Sequence, residues 1–85
     1  MPHYVYILKS VSSDKYYIGS SRNPYRRLSY HNTIEKGFTS RYRPWELVFE
    51  KEFSDKFIAQ KMERKIKSWK NRQMIERIIK GEIEI

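Results

Sequence analysis

The segment His3-Tyr-Val-Tyr-Ile-Leu-Lys9 constrains this chain most, because it crowds β-branched and aromatic side chains into seven consecutive positions. Such residues fit a pleated, half-buried surface, so the segment reads as a strand. Ser10 to Asp14 is a turn cluster, and Lys15-Tyr-Tyr-Ile-Gly-Ser20 reads as the returning strand of a hairpin. Asn23-Pro24 then predicts a helix start, with Asn as N-cap and Pro at the first helical position, and the helix runs to about Asn32. Residues 33–44 are polar, are interrupted by Gly37 and Pro44, and read as a loop. Trp45 to Phe53 alternates well enough to make a third strand.

Ser54 is the expected N-cap of the next helix, with Phe53 and Ile58 placed to form a hydrophobic staple across its start. At about 100° per residue, Ile58, Ala59, Met62, Ile66 and Trp69 fall in one apolar stripe. Lys70-Asn71 marks a break, and Asn71 caps a last helix that ends before Gly81. The order β-β-α-β-α-α predicts an α+β fold, a small three-stranded antiparallel sheet flanked by helices, with one face of the sheet covered. At 85 residues a second core does not fit, and no repeat or low-complexity tract divides the chain, so residues 1–85 are expected to form a single domain.

Composition narrows the function. There is no cysteine, which excludes disulfide scaffolds, zinc-thiolate sites and cysteine nucleophiles. No apolar run approaches the roughly 20 residues that span a bilayer, and no signal-peptide core stands at the N-terminus, so a cytoplasmic location and no membrane partner are expected. The 18 Lys/Arg outnumber the 10 Asp/Glu, net +8, and this points to a polyanion. The excess is concentrated: residues 56–80 hold nine Lys/Arg against only Glu63 and Glu76.

Four groups of residues could carry chemistry. A hairpin turn centred near Val11–Ser12 would set Tyr6 and Tyr17 opposite each other, where two phenols could hold a water or a phosphate oxygen. Gly19 beside them permits close approach of backbone or ligand, while Tyr4, Tyr16, Tyr25 and Tyr30 read as packing. Arg27 and His31 share a helix face about 200–240° round from Tyr25, on whose side burial is expected. Arg suits bidentate phosphate contact and His passes protons near neutrality, although an Arg–His pair one turn apart is more often solvated surface. Glu63 edges the apolar stripe among lysines. An i,i+4 pair with Lys67 explains its position most simply, and a Mg2+ ion held against a phosphate is the functional alternative. Arg22, Arg26, Lys56, Lys67 and Lys70, with Arg41 and Arg43 of the loop Thr39-Ser-Arg-Tyr-Arg43, suit nucleic-acid backbones and stacked bases.

Together these features resemble the GIY-YIG nuclease superfamily over nearly the whole chain. Tyr4-Val5-Tyr6 stands at the first motif, Tyr17-Ile18-Gly19 matches the second, Arg27 and His31 follow at the family's spacing, and Glu63 of Ala59-Gln-Lys-Met-Glu63 matches the metal-binding glutamate. The stretch from Gly37 to Val48, and Lys67, Trp69 and Lys70 after Glu63, look like the small stand-alone members of the superfamily. That subgroup is related to the N-terminal nuclease domain of the excinuclease of bacterial repair. Tyr4 replaces the glycine of the first motif, and Asn71 is not carried over to the downstream asparagine of larger members.

The resemblance implies an endonuclease of DNA or RNA, acting in repair or processing, that leaves a 5′-phosphate and a 3′-hydroxyl. Glu63 would hold one Mg2+ or Mn2+ ion, Tyr6 would act as general base with His31 accepting or relaying the proton, Tyr17 would position the phosphate, and Arg27 would stabilise its developing charge. Few side chains remain to read base edges, so little sequence preference is expected, with a protein partner or a homodimer supplying extra affinity. The alternatives are a nucleic-acid-binding module of the same fold without turnover, and a protein- or membrane-docking role for the basic C-terminal helices.

Overall fold

A computed structural model describes residues 1–85, in the order β1 (His3–Ser10), β2 (Tyr16–Ser21), α1 (Pro24–Thr33), a 3-10 turn (Phe38–Tyr42), β3 (Trp45–Phe53), α2 (Lys56–Trp69) and α3 (Arg72–Ile79). The three strands form one antiparallel sheet, β2-β1-β3, as the alternating segments predict. Only β1 is paired on both sides, and Val5, Tyr6, Ile7 and Leu8 are each 1% exposed or less. Both faces of the sheet are covered, where one was expected. Val5, Ile7 and Ile18 pack with Ala59 and Ile66 of α2 and Ile78 of α3, while Tyr6, Leu8 and Trp45 pack with Leu28 of α1 and Tyr42 of the 3-10 turn. No helix is long and apolar enough to cross a membrane.

The hairpin register differs from the expectation. Tyr6 lies opposite Gly19, and Tyr17 lies opposite Leu8. The turn centres on Ser12–Ser13, one residue beyond the Val11–Ser12 expected, because Ser10 N–H bonds to Lys15 O at 2.9 Å and the Ser10 hydroxyl accepts the Ser13 N–H at 3.0 Å. That side chain stabilises the loop and moves the pairing by two residues. A two-residue shift preserves the face of every side chain, so Tyr6 and Tyr17 still share one, now as diagonal neighbours.

Local signals set most helix ends. Asn23 caps α1 through Arg26 N–H and Asn71 caps α3 through Met74 N–H, at 3.1 and 3.2 Å. Asp55, not Ser54, caps α2, accepting Ile58 N–H at 2.9 Å. Ile58 lies at the edge of the expected stripe and is 41% exposed, while Ala59 and Ile66 are its buried residues. The α2–α3 break falls at Lys70, in the left-handed region with φ +46. Tyr25 is also outside the core, 66% exposed, whereas His31 of the same helix turns inward.

Candidate active site

Tyr6 and His31 meet inside the protein, each 1% exposed, with the Tyr6 hydroxyl 3.1 Å from His31 Nε2. The other ring nitrogen, Nδ1, lies 3.1 Å from the hydroxyl of Thr39, itself 1% exposed. An imidazole can face inward here because both its nitrogens find hydroxyl partners, which offsets the cost of taking them from water. Trp45 Nε1 donates to Thr39 O at 2.7 Å and so fixes the 3-10 turn that presents this hydroxyl.

Two further contacts anchor the end of α1. Asn32 brackets Trp45, accepting its N–H at 2.6 Å and donating to its carbonyl at 3.0 Å. Arg43 donates through Nε to His31 O at 2.7 Å and through Nη2 to Glu35 O. Arg43 therefore departs from its expected place on a nucleic-acid surface: its guanidinium holds one carbonyl of the last helical turn and one of the loop just beyond it.

Tyr17 completes a cluster of rings, its centroid 4.6 Å from that of His31 and 6.4 Å from that of Tyr6. Gly19 makes this possible. A Cβ at that position would stand 2.6 Å from the Tyr6 hydroxyl, 2.7 Å from Tyr6 Cζ and 3.1 Å from the Tyr17 ring. The phenols are adjacent because the residue between them has no side chain.

Burial pushes the Tyr6 hydroxyl up to about 12, with the nearby Arg27 guanidinium pulling the other way and Tyr17 and Glu63 adding to the rise. Burial also lowers His31 below its ordinary value, aided by Arg27 and Arg43, so the imidazole is neutral at pH 7. Arg27 itself lies over the ring of Tyr30, 4.5 Å from its centroid. Glu63 projects from α2 and pairs with Lys67 at 2.7 Å, the simple i,i+4 contact, with its side chain 19% exposed. Lys67 Nζ in turn stands 5.8 Å from the centroid of Tyr17.

The remaining basic residues divide. Arg22, Arg26, Arg27 and Lys56 line a polar depression of about 720 Å³ between the first turns of α1 and α2. Lys67 and Lys70 border Tyr17 on a smaller one of about 360 Å³. Arg41 is exposed on the 3-10 turn. Sequence reasoning misses Thr39 and Asn32, which act over eight and thirteen residues and leave no periodic signal. His3, also in the polar depression, reads in the sequence only as part of a strand.

The family described as the GIY-YIG catalytic domain matches residues 2–77. Among curated relatives, the structure-specific endonuclease subunit SLX1 of Phaeosphaeria nodorum is 40% identical over 72 residues, covering 78% of this chain and 19% of that protein. SLX1 of Podospora anserina is 56% identical over 50 residues, covering 52% of this chain and 14% of that one. The chain thus spans less than a fifth of the length of either. Among solved structures, the solution NMR structure of UPF0213 protein BH0048 from Bacillus halodurans superposes with a TM-score of 0.58 at 29% identity, covering 94% of this chain and 84% of that chain.

Proposed function

The chain belongs to the GIY-YIG family, and on that premise we propose that it is a divalent-metal-dependent endonuclease that hydrolyses DNA with little preference for base sequence. The observation that carries this reading is the buried Tyr6–His31–Thr39 chain of hydrogen bonds, bordered by Tyr17 and approached by Arg27.

A phenol pushed up to about 12 supplies almost no free phenolate at neutral pH. A relay removes that difficulty. With His31 Nδ1–H donated to Thr39, Nε2 is left as an acceptor, and Tyr6 passes its proton there while taking one from the attacking water. The water oxygen bonds to phosphorus as the bond to the 3′-oxygen breaks, and that oxygen takes a proton from solvent, giving a 5′-phosphate and a 3′-hydroxyl. The Tyr17 hydroxyl orients the phosphate, and Arg27 stabilises charge on its non-bridging oxygens, an effect typically worth a few kcal/mol.

Glu63 suits a hard divalent cation such as Mg2+ or Mn2+. It offers one carboxylate at the edge of the tyrosine cluster. Magnesium keeps most of its waters and needs only one or two protein carboxylates. When bound there, the ion would supply Lewis-acid polarisation of the phosphate. Lys67 pairs with Oε2 of the same carboxylate, so Oε1 is the oxygen that would hold the ion.

Arg22, Arg26, Lys56, Lys67, Lys70 and the exposed Arg41 contact the backbone in this reading. The similar SLX1 proteins are named structure-specific endonuclease subunits, and we extend both elements of that name to this chain: a substrate chosen by its structure rather than its base sequence, and a partner protein that adds affinity. The test is cleavage of plasmid and branched duplexes with Mg2+ or Mn2+. Cutting is expected to stop with EDTA, and Glu63→Ala and Tyr6→Phe are expected to abolish it with DNA binding nearly intact. Equal cutting by the Glu63→Ala protein overturns the assignment.

A further inference from the structure

Apart from Arg27, the residues lining the polar depression between α1 and α2 take no part in the proposed proton transfer or metal binding. His3 opens β1 and is only 7% exposed, yet its ring takes part in no hydrogen bond within the protein. No buried side-chain nitrogen or oxygen lacks a partner, so the ring nitrogens of His3 are open to the depression instead. Around it stand Arg22, Arg26, Arg27 and Lys56, and no carboxylate or apolar side chain lines the space. The ion pairs of the protein are Lys67–Glu63, Arg72–Asp14 and Arg72–Glu76, and none involves these four cations. The first turns of α1 and α2 both border the cavity, adding the positive ends of two helices. Four unneutralised cations and an unpartnered buried imidazole facing one cavity call for an anion.

We propose that this depression is a second phosphate subsite, in which His3, Arg22, Arg26 and Lys56 hold a backbone phosphodiester of the cut strand next to the scissile one. The identity of the ligand rests on the nuclease reading; the binding itself does not require turnover. Arg27 borders both places, lining the depression and facing Tyr6, so the two phosphates are near neighbours on one strand. At about 720 Å³ the space exceeds a single phosphate, and through Arg22 and Asn23 it adjoins a groove containing Tyr4 and Tyr25. A strand that continues past the subsite fits this shape better than a free anion. The subsite would fix the register of the backbone against the catalytic tyrosines without reading bases.

The experiment uses the full chain carrying Tyr6→Phe, in EDTA, so that no cutting intervenes. Titration with inorganic phosphate, followed by NMR, should move the His3 ring and the Arg22 and Lys56 signals before those of Tyr17 and Lys67. Binding of a short duplex, followed by fluorescence anisotropy, should weaken about tenfold in Lys56→Ala and in Arg22→Ala. Each substitution should also lower the salt slope by about one, with Lys56→Arg restoring it. His3→Gln should weaken binding with an unchanged slope, because the ring it replaces is neutral. Unchanged affinity and slope in Lys56→Ala and Arg22→Ala overturn the subsite. A tenfold preference for a duplex with a 5′-phosphate over a 5′-hydroxyl also overturns it, in favour of a terminal phosphomonoester site. If these shifts and slopes are found but no DNA is ever cut, the subsite stands and the nuclease reading falls.

Discussion

Gly19 shows how little a single residue must change to remove the site. A methyl group there would sit 2.6 Å from the Tyr6 hydroxyl, and Tyr6 is fully packed and cannot swing away. Gly19→Ala is therefore expected to lower the melting temperature and to abolish cleavage, read by circular dichroism and a plasmid assay. Thr39→Val keeps the shape of the 3-10 turn but leaves His31 Nδ1 without its hydroxyl. We expect a fold close to native, a turnover rate reduced by about ten- to a hundredfold, and an altered acid limb of the pH–rate profile. Tyr6, Tyr17, Arg27, His31 and Glu63 stand out in the sequence through the resemblance to the GIY-YIG motifs; by period and spacing alone Arg27 and His31 pass for solvated surface and Glu63 for the partner of Lys67. Thr39 does not stand out, because its partner lies across a loop whose path no local propensity determines.

Helix ends are the most legible elements, since capping is a local chemistry. Asn23-Pro24 and Asn71 act where their residue types predict, and Asp55 displaces Ser54 by one position because either side chain can accept the same kind of bond. The hairpin is legible as an element but not in its register, which the Ser10 side chain sets through the loop. The α2–α3 junction yields a prediction at this scale. Lys70 adopts φ +46, a region glycine reaches without penalty, so Lys70→Gly should raise stability by about 0.5–1 kcal/mol in urea unfolding. Lys70 also borders Tyr17, so the same substitution should weaken DNA binding.

The whole molecule keeps its charge outside and two neutral imidazoles inside. Burial comes first among the causes that lower His3 and His31, with nearby cations adding to it. Unfolding restores the ordinary histidine value near 6.5, so the unfolded chain binds protons that the native one refuses. Stability should be full above about pH 6.5 and fall as pH drops toward the lowered native values, seen as a decreasing melting temperature between neutral and mildly acidic buffer. His31→Gln should flatten part of that dependence. The packing on both faces of β1 escapes the sequence, because alternation shows that a strand has two kinds of face but not that the second is also covered. It has a consequence for how the protein fails. The hydroxyl assigned to proton transfer sits on the only strand paired on both sides, between the two apolar clusters. That strand has no partial loosening open to it short of general collapse. Heat inactivation and loss of secondary structure should therefore trace one curve, and amide exchange at Tyr6 should be as slow as the slowest in the chain.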